Sequence, residues 1–516
     1  MDLTGLADRF GDKPAVVIDD EVDVLTYAEL EADSNRIARI LVDLGLEAGD
    51  GFAAMLDNST IVASAWWAAL RAGFYYTPIN WHLTASEVAF ILRDCGARAL
   101  IVHPKYADIA RTATEGTGVV VLSVGPSPDL IDLREAMAAT SPDPLADRPA
   151  GAPMFYSSGT TGRPKGVRAP LTGRPLTEGE SLPETIMRMY EVAPDTRYLS
   201  TGPLYHSSPP LWSFGMHTIG ATAVIMSRFD PELALRLIQN QGITTSQWVP
   251  TMFHRLLALP SEIRNAYDLS GHRTAYHAAA PCPVPTKRAM IEWWGPILTE
   301  FYAATEGGTT MITSPEWLAR PGSVGRCWTG GEVHILDPGD RHELPAGQAG
   351  LVYFKALPTL RFEYFNDPEK TRSVYHGDLV TAGDIGYLDD DGYLFLVDRQ
   401  HDMIISGGVN IYPREIEHVL QEHPRVVDVA VLGTPDPEFG ESVTAVVEPD
   451  VMPADEAAAA ELRTDLLTHA RAELAGFKVP KVVDFVAKLP RDPNGKLYKR
   501  RLRDEVRPVK SAPPQS

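Results

Sequence analysis

Segments with helical periodicity alternate with short runs of β-branched residues through the N-terminal part of this chain. Thr26 and Glu29 have the spacing of a capping box, in which each side chain accepts a hydrogen bond from a free N–H group. The apolar residues that follow at helical spacing are Leu30, Ile37, Leu41 and Leu44, with Gly45 as the expected stop. Apolar runs of strand length lie at residues 99–102, 119–122 and 223–226. This alternation predicts an α/β fold of layered helices and sheets.

The pattern starts afresh near residue 400. Residues 389–392 (Asp-Asp-Asp-Gly) predict a hairpin turn, and residues 393–397 the strand after it. A helix over residues 413–420 and strands near 426–432 and 443–447 follow. A chain of 516 residues has room for more than one domain. We therefore expect a large N-terminal domain of α/β subdomains (residues 1–399) and a small α+β C-terminal domain (residues 400–516).

Charge and cysteine content exclude some classes of protein. The chain has 47 Lys plus Arg against 68 Asp plus Glu, a net charge of −21. A general nucleic-acid binder needs a basic face, so we expect no nucleic-acid partner. The 3 cysteines show no zinc or disulfide spacing, and we find neither a secretory signal nor an apolar run long enough to span a membrane. These features predict a cytoplasmic protein, and they leave open whether it forms a homodimer.

The strongest local motif is Tyr156-Ser-Ser-Gly-Thr-Thr-Gly-Arg-Pro-Lys-Gly166. Consecutive hydroxyls, glycines and a lysine favour a loop whose backbone N–H groups wrap phosphate oxygens. It is not the common nucleotide-binding P-loop, because Pro164 stands where that pattern needs a glycine. A solvated turn has the same composition, so the loop alone leaves both interpretations open.

The loop resembles the phosphate loop of the adenylate-forming superfamily, which comprises acyl-CoA synthetases, peptide-synthetase adenylation domains and luciferases. Further motifs agree in the order of that family: Pro203-Leu-Tyr-His206, Phe301-Tyr-Ala-Ala-Thr-Glu306, Ala382-Gly-Asp384, Asp398-Arg399, Gly407-Gly-Val-Asn410 and Asn494-Gly-Lys496. The resemblance extends over essentially the whole chain. It implies a two-step ligase, in which a carboxylate attacks the α-phosphate of ATP and a thiol, that of CoA, then displaces AMP.

The resemblance also assigns roles in nucleotide binding. The expected phosphate ligands are Ser157, Ser158, Gly159, Thr160, Thr161, Gly162, Lys165 and Thr305. Glu306 would hold Mg²⁺, a hard cation that prefers carboxylate oxygen. Adenine would lie against Tyr302 and the segment Ala279, Ala280 and Pro281, and the ribose against Asp384 and Arg399.

Other residues resemble the catalytic and mobile parts of the family. Lys496, in a basic C-terminal segment, would bridge the carboxylate and the α-phosphate, on a small domain that swings away after adenylation. His206 would lie beside the substrate carboxylate. Gly407 and Gly408 would let the pantetheine arm of CoA pass close to the backbone. His401 stands at the hinge, where the family usually has Asp or Lys, and a histidine there predicts pH-sensitive closure.

The acid is less clearly indicated. By resemblance, Trp212, Phe214 and Trp248 line the acyl pocket, although ordinary core packing explains them equally well. Gly215 occupies the place of the acidic residue that amino-acid-activating relatives use, which argues against an amino-acid substrate. A turn-rich stretch at residues 168–180 looks like an insertion and leaves room for a bulky or polycyclic acid as well as a fatty acid.

Three readings follow from the sequence. The first is a free-standing acyl-CoA synthetase. The second is an acid-adenylating ligase that hands its acyl group to a carrier protein or partner enzyme. The third is a catalytically silent nucleotide-binding relative, against which Lys496, Glu306, Asp384 and Arg399 argue. A luciferase-type oxygenase shares the motifs, whereas a hydrolase is disfavoured because no G-x-S-x-G motif occurs.

Overall fold

The computed structural model describes most of the chain. The described residues are 3–145, 148–157, 164–178, 184, 187–188, 190–304, 307–327, 331–355, 361–399, 402–406, 409–437, 439–491, 497, 499 and 502. Their helices are α1 (Leu3–Phe10), α2 (Tyr27–Asp43), α3 (Thr60–Ala72), α4 (Ala85–Asp94), α5 (Ala107–Thr114), α6 (Leu133–Ala138), α7 (Ser208–His217), α8 (Pro231–Asn240), α9 (Pro250–Leu257), α10 (Ser261–Arg264), α11 (Val284–Trp294), α12 (Ser314–Ala319), α13 (Pro368–Val374), α14 (Pro413–Gln421) and α15 (Glu456–Glu473).

The largest sheet of the described residues has 15 strands. They are β1 (Pro14–Ile18), β2 (Asp23–Thr26), β10 (Arg197–Ser200), β11 (Thr222–Ile225), β12 (Thr245–Trp248), β13 (Thr274–His277), β14 (Leu298–Ala304), β15 (Gly307–Thr313), β16 (Ser323–Cys327), β17 (Val333–Leu336), β18 (Gly350–Lys355), β20 (Tyr375–His376), β21 (Leu379–Val380), β22 (Asp384–Leu388) and β23 (Leu394–Arg399). The strands β11-β10-β12-β13-β14 run parallel in that order, and antiparallel strands continue the sheet beyond β14.

A second sheet has 8 described strands, and two of them flank the phosphate-loop motif. It contains β3 (Gly51–Met55), β4 (Tyr75–Pro78), β5 (Ala97–Val102), β6 (Val120–Ser123), β7 (Ile131–Asp132), β8 (Ala152–Ser157), β9 (Lys165–Arg168) and β19 (Glu363–Tyr364). Helix α3 is buried along almost its whole length, as a helix between two layers must be. Its Trp66 packs in one core with Phe52 of this sheet and Phe301 of the larger sheet.

A third sheet is built only from residues beyond 403. Its strands are β24 (Ile404–Ser406), β25 (Val409–Ile411), β26 (Val426–Asp436), β27 (Gly440–Pro449) and β28 (Val482–Phe485). Helices α14 and α15 bury Ile416 and Leu462 against it, in a core separate from those of the N-terminal sheets. The mixed α/β architecture with a small C-terminal domain is thus as expected. The boundary at residue 400 stays a prediction, because residues 400–401 lie outside the described part.

The local sequence signals hold in the structure. Thr26 caps α2 with the full reciprocal capping box to Glu29, and the helix ends two residues before Gly45. The three apolar runs form β5, β6 and β11, each within a residue or two of the expected bounds. The turn at residues 389–392 joins β22 to β23 as an antiparallel hairpin. In the described part of the chain, no helix is long and apolar enough to cross a membrane.

Candidate active site

Several of the predicted site residues lie where parallel strands of the large sheet end. The segment 203–206 follows β10, the segment 278–281 follows β13, and Tyr302 stands near the end of β14. In open parallel sheets the crevice outside the carboxyl ends of the strands is the usual ligand site, because loops of adjacent strands converge there. The order β10-β12-β13-β14 therefore brings motifs that are 100 residues apart in sequence to one edge.

Tyr302 and Asp384 are in direct contact. The Tyr302 hydroxyl donates a hydrogen bond of 2.5 Å to Oδ2 of Asp384, which is 6% exposed. Asp384 begins β22, and its register partner on β23 is Arg399. The Gly383 N–H donates to the Thr381 hydroxyl (3.0 Å), which fixes the turn that leads into Asp384. The residues predicted for adenine and ribose thus share one corner of the sheet.

The predicted purine-lining segment has an unusual backbone. Ala279 is exposed and has φ +74°, a left-handed conformation that costs a residue with a Cβ about 1–3 kcal/mol. Such strain is enriched at ligand-binding and active sites, and the positive φ of Ala279 is the largest among the described non-glycine residues. Across the corner, Gly308 has φ +79°, and a Cβ there would lie 2.1 Å from the Phe354 ring, which itself packs on Tyr302. Only glycine fits this approach.

The two ends of the phosphate loop are held together by a hairpin. Strands β8 and β9 pair antiparallel, so that Ser157 lies opposite Lys165 at the open end of the ladder. The Lys165 ammonium lies 5.6 Å from the ring centroid of Tyr364 on β19. Val167 packs in one cluster with Tyr302, which links the hairpin to the predicted adenine site.

His206, Trp212 and Phe214 lie in the segment after β10 and in the helix that follows it. His206 is half-buried beside the Tyr205 ring, at 4.6 Å between centroids. Helix α7 carries Trp212, 6% exposed, and Phe214, 1% exposed. The Trp212 ring lies 4.7 Å from that of Tyr276 and 5.7 Å from that of Phe301. The sequence did not single out Tyr276, which belongs to no motif, and it named Phe301 only as the first residue of the motif at 301–306.

The structure does not bring Trp248 together with Trp212. Trp248 packs in a different core with Phe253 and Trp294, and its indole N–H donates to the Ser246 hydroxyl at 2.6 Å. Successive residues of a strand face opposite sides of the sheet, so its neighbour on β12 faces the other way. That neighbour, Gln247, accepts from the Tyr198 hydroxyl (3.1 Å) and donates to the Ser208 hydroxyl (2.6 Å) on α7. Gln247 is the β12 residue beside the predicted acyl pocket, and strand alternation was the signal for it.

Gly215 has little room for a side chain. A Cβ at this position would lie 3.1 Å from the Met187 methyl carbon, closer than most real contacts. The space beside Gly215 is therefore filled by the apolar side chain of Met187, and position 215 itself carries no acidic group. This agrees with the reading that the chain does not take an amino acid.

The Asp398-Arg399 motif contacts the small C-terminal domain. The Arg414 backbone N–H, in the first turn of α14, donates to Oδ2 of Asp398 at 3.0 Å. Lys499 forms an ion pair of 2.9 Å with Glu417 on the same helix. Although burial lowers it, the carboxylates of Glu417, Asp402 and Asp398 raise the pKa of Lys499. Charged groups of the two domains thus meet at the predicted hinge.

Several predicted site residues lie outside the described part of the chain. They are Ser158, Gly159, Thr160, Thr161, Gly162, Thr305, Glu306, His401, Gly407, Gly408 and Lys496. For Ser157 and Arg399, only the strand positions are described. The roles of all these residues stay predictions.

Comparison with known proteins identifies the family. The family model described as AMP-binding enzyme matches residues 4–359, and the model of the AMP-binding enzyme C-terminal domain matches residues 415–496. The chain belongs to the AMP-binding enzymes. The resemblance seen in the motifs is therefore confirmed over both parts of this AMP-binding enzyme, which agrees with the α/β fold and its small C-terminal domain.

Three relatives illustrate the likeness. The fatty acid–[acyl-carrier-protein] ligase ScoC of Streptomyces coeruleorubidus is 32% identical over 510 residues, 95% of this chain and 93% of the relative. The long-chain-fatty-acid–CoA ligase FadD13 of Mycobacterium tuberculosis is 32% identical over 489 residues, 93% of each chain. The ATP-bound crystal structure of MatB from Rhodopseudomonas palustris superposes with a TM-score of 0.82 at 31% identity, covering 98% of this chain and 99% of that one. Two of these relatives are thus ligases, and each is matched over more than nine-tenths of this AMP-binding enzyme.

Proposed function

We propose that this AMP-binding enzyme is an ATP-dependent acyl-CoA synthetase for a hydrophobic carboxylic acid. The observation that carries the proposal is the hydrogen bond from Tyr302 to Asp384 at the carboxyl edge of the parallel strands, next to the strained segment at Ala279. It joins two motifs that resemble adenine- and ribose-binding residues and that are 82 positions apart in sequence. The fatty-acid ligases among the relatives support an acyl substrate.

In the first step, an oxygen of the carboxylate attacks the α-phosphorus of ATP and pyrophosphate leaves. The chain must hold two anions in line and neutralise their charge. Asp384 would accept hydrogen bonds from the ribose hydroxyls, while the hairpin from Ser157 to Lys165 holds the ends of the phosphate loop together. Glu306 offers the hard oxygen that Mg²⁺ prefers, and the ion would supply charge neutralisation at the phosphates. Lys496 would stabilise the charge that moves between carboxylate and α-phosphate.

In the second step, the thiol sulfur attacks the acyl carbonyl carbon and AMP leaves. We assign this step to CoA, with Gly407 and Gly408 beside the pantetheine arm. His206 would lie beside the carboxylate, with the acyl group among Trp212 and its aromatic neighbours. Apolar walls of this kind bind an apolar acid because its hydration is lost on binding.

A screen of pyrophosphate release tests the proposal. Fatty, aryl and polycyclic acids are supplied with ATP and Mg²⁺, with and without CoA. We expect release that depends on the acid, and an acyl-CoA product when CoA is present. If none of the tested acids triggers pyrophosphate release, acid activation is contradicted and a catalytically silent nucleotide-binding relative is favoured.

The acceptor is tested separately. The same acid is offered with CoA or with a holo-carrier protein, and the thioester products are compared. We expect CoA to be the better acceptor. Transfer to the carrier alone would assign the chain to the carrier-protein ligases, to which its relative ScoC belongs.

A further inference from the structure

A buried ion pair lies close to the predicted nucleotide corner, two residues along β14 from Tyr302. The ammonium of Lys287 lies 2.6 Å from Oε2 of Glu300, and the two side chains are 0% and 7% exposed. Lys287 also stands 4.7 Å from the ring centroid of the buried Trp317. Burying two charges costs desolvation energy that their attraction barely repays, so such a pair is weak evidence for a purely stabilising role.

The position of the pair suggests what else it does. Lys287 lies in the first turn of α11, the helix that directly follows the segment 278–283. Glu300 lies on β14, two residues before Tyr302 and so on the same face of that strand. The pair therefore connects α11, which follows the segment predicted to form one wall of the adenine site, to β14, which carries Tyr302 of the other wall.

His277 is a further titratable group at this place, as is the Cys282 thiol, whose pKa is raised by burial and by the charge of Glu300. It is the register partner of Glu300 on β13, with its Nε2 3.8 Å from Oε2 of Glu300. Both of its ring nitrogens are buried without a hydrogen-bond partner. Burial and the charge of Lys287 lower the pKa of His277, so the imidazole is neutral and forms no charged bond to Glu300. The fixed hydrogen-bonded contact of Glu300 is with Lys287.

The small domain acts on the same carboxylate. Burial raises the pKa of Glu300, while the charges of Lys287 and, more weakly, of Arg414 oppose that shift. Arg414 lies in α14, next to the contact with Asp398. Glu300 thus lies within electrostatic range of both the adenine corner and the C-terminal domain.

We propose that Lys287 and Glu300 are positioning residues that set the separation of the segment 278–283 from Tyr302, and thereby the affinity for the adenine of ATP. The inference rests on the proposed function. A hydrogen-bonded ion pair holds its two elements at a defined length and direction, whereas apolar contacts allow them to slide. A slot for a planar base needs that definition, because small displacements of its walls lose the contacts to the base.

Two variants separate positioning from folding. Lys287→Met combined with Glu300→Leu removes both charges at nearly constant volume, a replacement that is often neutral for stability. Glu300→Asp keeps both charges and shortens the carboxylate by one methylene. In acid-dependent pyrophosphate release, we expect both variants to raise the KM for ATP about tenfold. The KM for the acid should change less than about twofold, because the acid would lie beside His206 and Trp212 and not between Tyr302 and the segment 278–283.

A matched control removes another ion pair. Arg71 and Glu31 join α3 and α2, which carry none of the predicted site residues, and their side chains are 11% and 13% exposed. Arg71→Met combined with Glu31→Leu should leave the KM for ATP unchanged. Circular dichroism and thermal melting establish that each variant is folded.

The outcomes are distinct. A wild-type KM for ATP in the folded variants would overturn the inference, as would a parallel rise of the KM for the acid. Failure of both variants to fold would also overturn it, because the pair would then serve the fold. Lack of acid-dependent release in the unmodified protein would instead contradict the proposed function.

Discussion

The backbone N–H of Arg414 donates a hydrogen bond of 3.0 Å to the carboxylate of Asp398, which is 3% exposed. The last strand before the predicted hinge thus supplies an acceptor to the first turn of α14 in the small domain. The first N–H groups of a helix have no partner within it, so an acceptor from outside stabilises the start of the helix.

Removal of this acceptor should loosen α14. We expect Asp398→Ala to reduce the hydrogen-exchange protection of the Arg414 amide about fivefold, since a lost cap costs about 1 kcal/mol. Asp398→Asn, which keeps an acceptor oxygen, should remain close to the wild type. Equal protection in all three proteins, measured by exchange with mass spectrometry, would show that the contact does not stabilise the helix.

The hydroxyl of Tyr302 should matter for ATP and not for the acid. Tyr302→Phe removes the donor that orients Asp384, and a hydrogen bond to a carboxylate contributes about 1.5–3 kcal/mol. We expect the KM for ATP to rise at least about tenfold in pyrophosphate release, with the KM for the acid unchanged. Tyr375→Phe is the control, because that hydroxyl donates to the Phe362 carbonyl instead (3.1 Å). A similar effect of both substitutions would argue against a specific role of Tyr302.

Lys496 should act in the first step alone. We expect Lys496→Ala to lower acid-dependent exchange of pyrophosphate into ATP at least about 100-fold, the usual loss when a charge-stabilising group is removed. Turnover of a supplied acyl-adenylate with CoA should be largely retained. Lys488→Ala removes an exposed lysine of the same basic segment and should have little effect. Normal exchange in Lys496→Ala would exclude the assignment.

The buried His217 should make the protein sensitive to acid. The Trp67 indole N–H donates to Nδ1 of His217 at 3.0 Å, so the proton is on Nε2, which donates to the Ala15 carbonyl at 3.1 Å. Burial lowers the pKa of His217 to about 4. The unfolded chain binds the proton near pH 6.5 and the folded protein does not. This contribution to stability is therefore full above pH 6.5 and is lost as the pH falls toward 4, by about 3 kcal/mol in total.

Urea unfolding at pH 7 and pH 5 tests this. His217→Gln should be less stable than the wild type at pH 7, but its loss between the two pH values should be smaller by about 2 kcal/mol. The exposed His254→Gln serves as the control. Parallel pH dependence of His217→Gln and the wild type would contradict the prediction. His272, whose pKa burial also lowers to about 4, contributes in the same direction in every variant.

The predicted hinge residue His401 gives a further test. A histidine changes charge close to neutral pH, whereas lysine does not. If closure depends on that charge, the rate of the thioester step should vary between pH 6 and 8 in the wild type and be flatter in His401→Lys. Superimposable pH profiles would reject a pH-sensitive hinge.

Local features of the fold could be predicted from the sequence and contacts across the chain could not. The capping box of Thr26 and Glu29 was predictable because both partners lie within one helical turn. The sequence placed Trp248 in the acyl pocket, but in the structure its side chain packs in a different core from that of Trp212. Which side chains of a strand face a given layer depends on the neighbouring elements of the fold. The sequence favoured Trp248 over Gln247 because tryptophan is the more apolar of the two.

The site was predictable as a set of motifs, not as a set of contacts. Family motifs named Tyr302 and Asp384, but only the folded structure shows that the Tyr302 hydroxyl lies 2.5 Å from the Asp384 carboxylate, because three other strands separate β14 from β22 in the sheet. The pair of Lys287 and Glu300 had no signal at all, because a lysine in a helix and a glutamate in a strand are usually solvated.

The edge where β10, β13 and β14 end has a consequence for how such a chain can diverge. Three of the residues assigned to the acid (His206, Trp212 and Phe214) come from the segment after β10 and from α7, whereas adenine and ribose were assigned to residues of β14, β22, β23 and the segment after β13. Mutations in α7 could therefore alter the preferred acid over generations while the residues that handle ATP stay under separate selection.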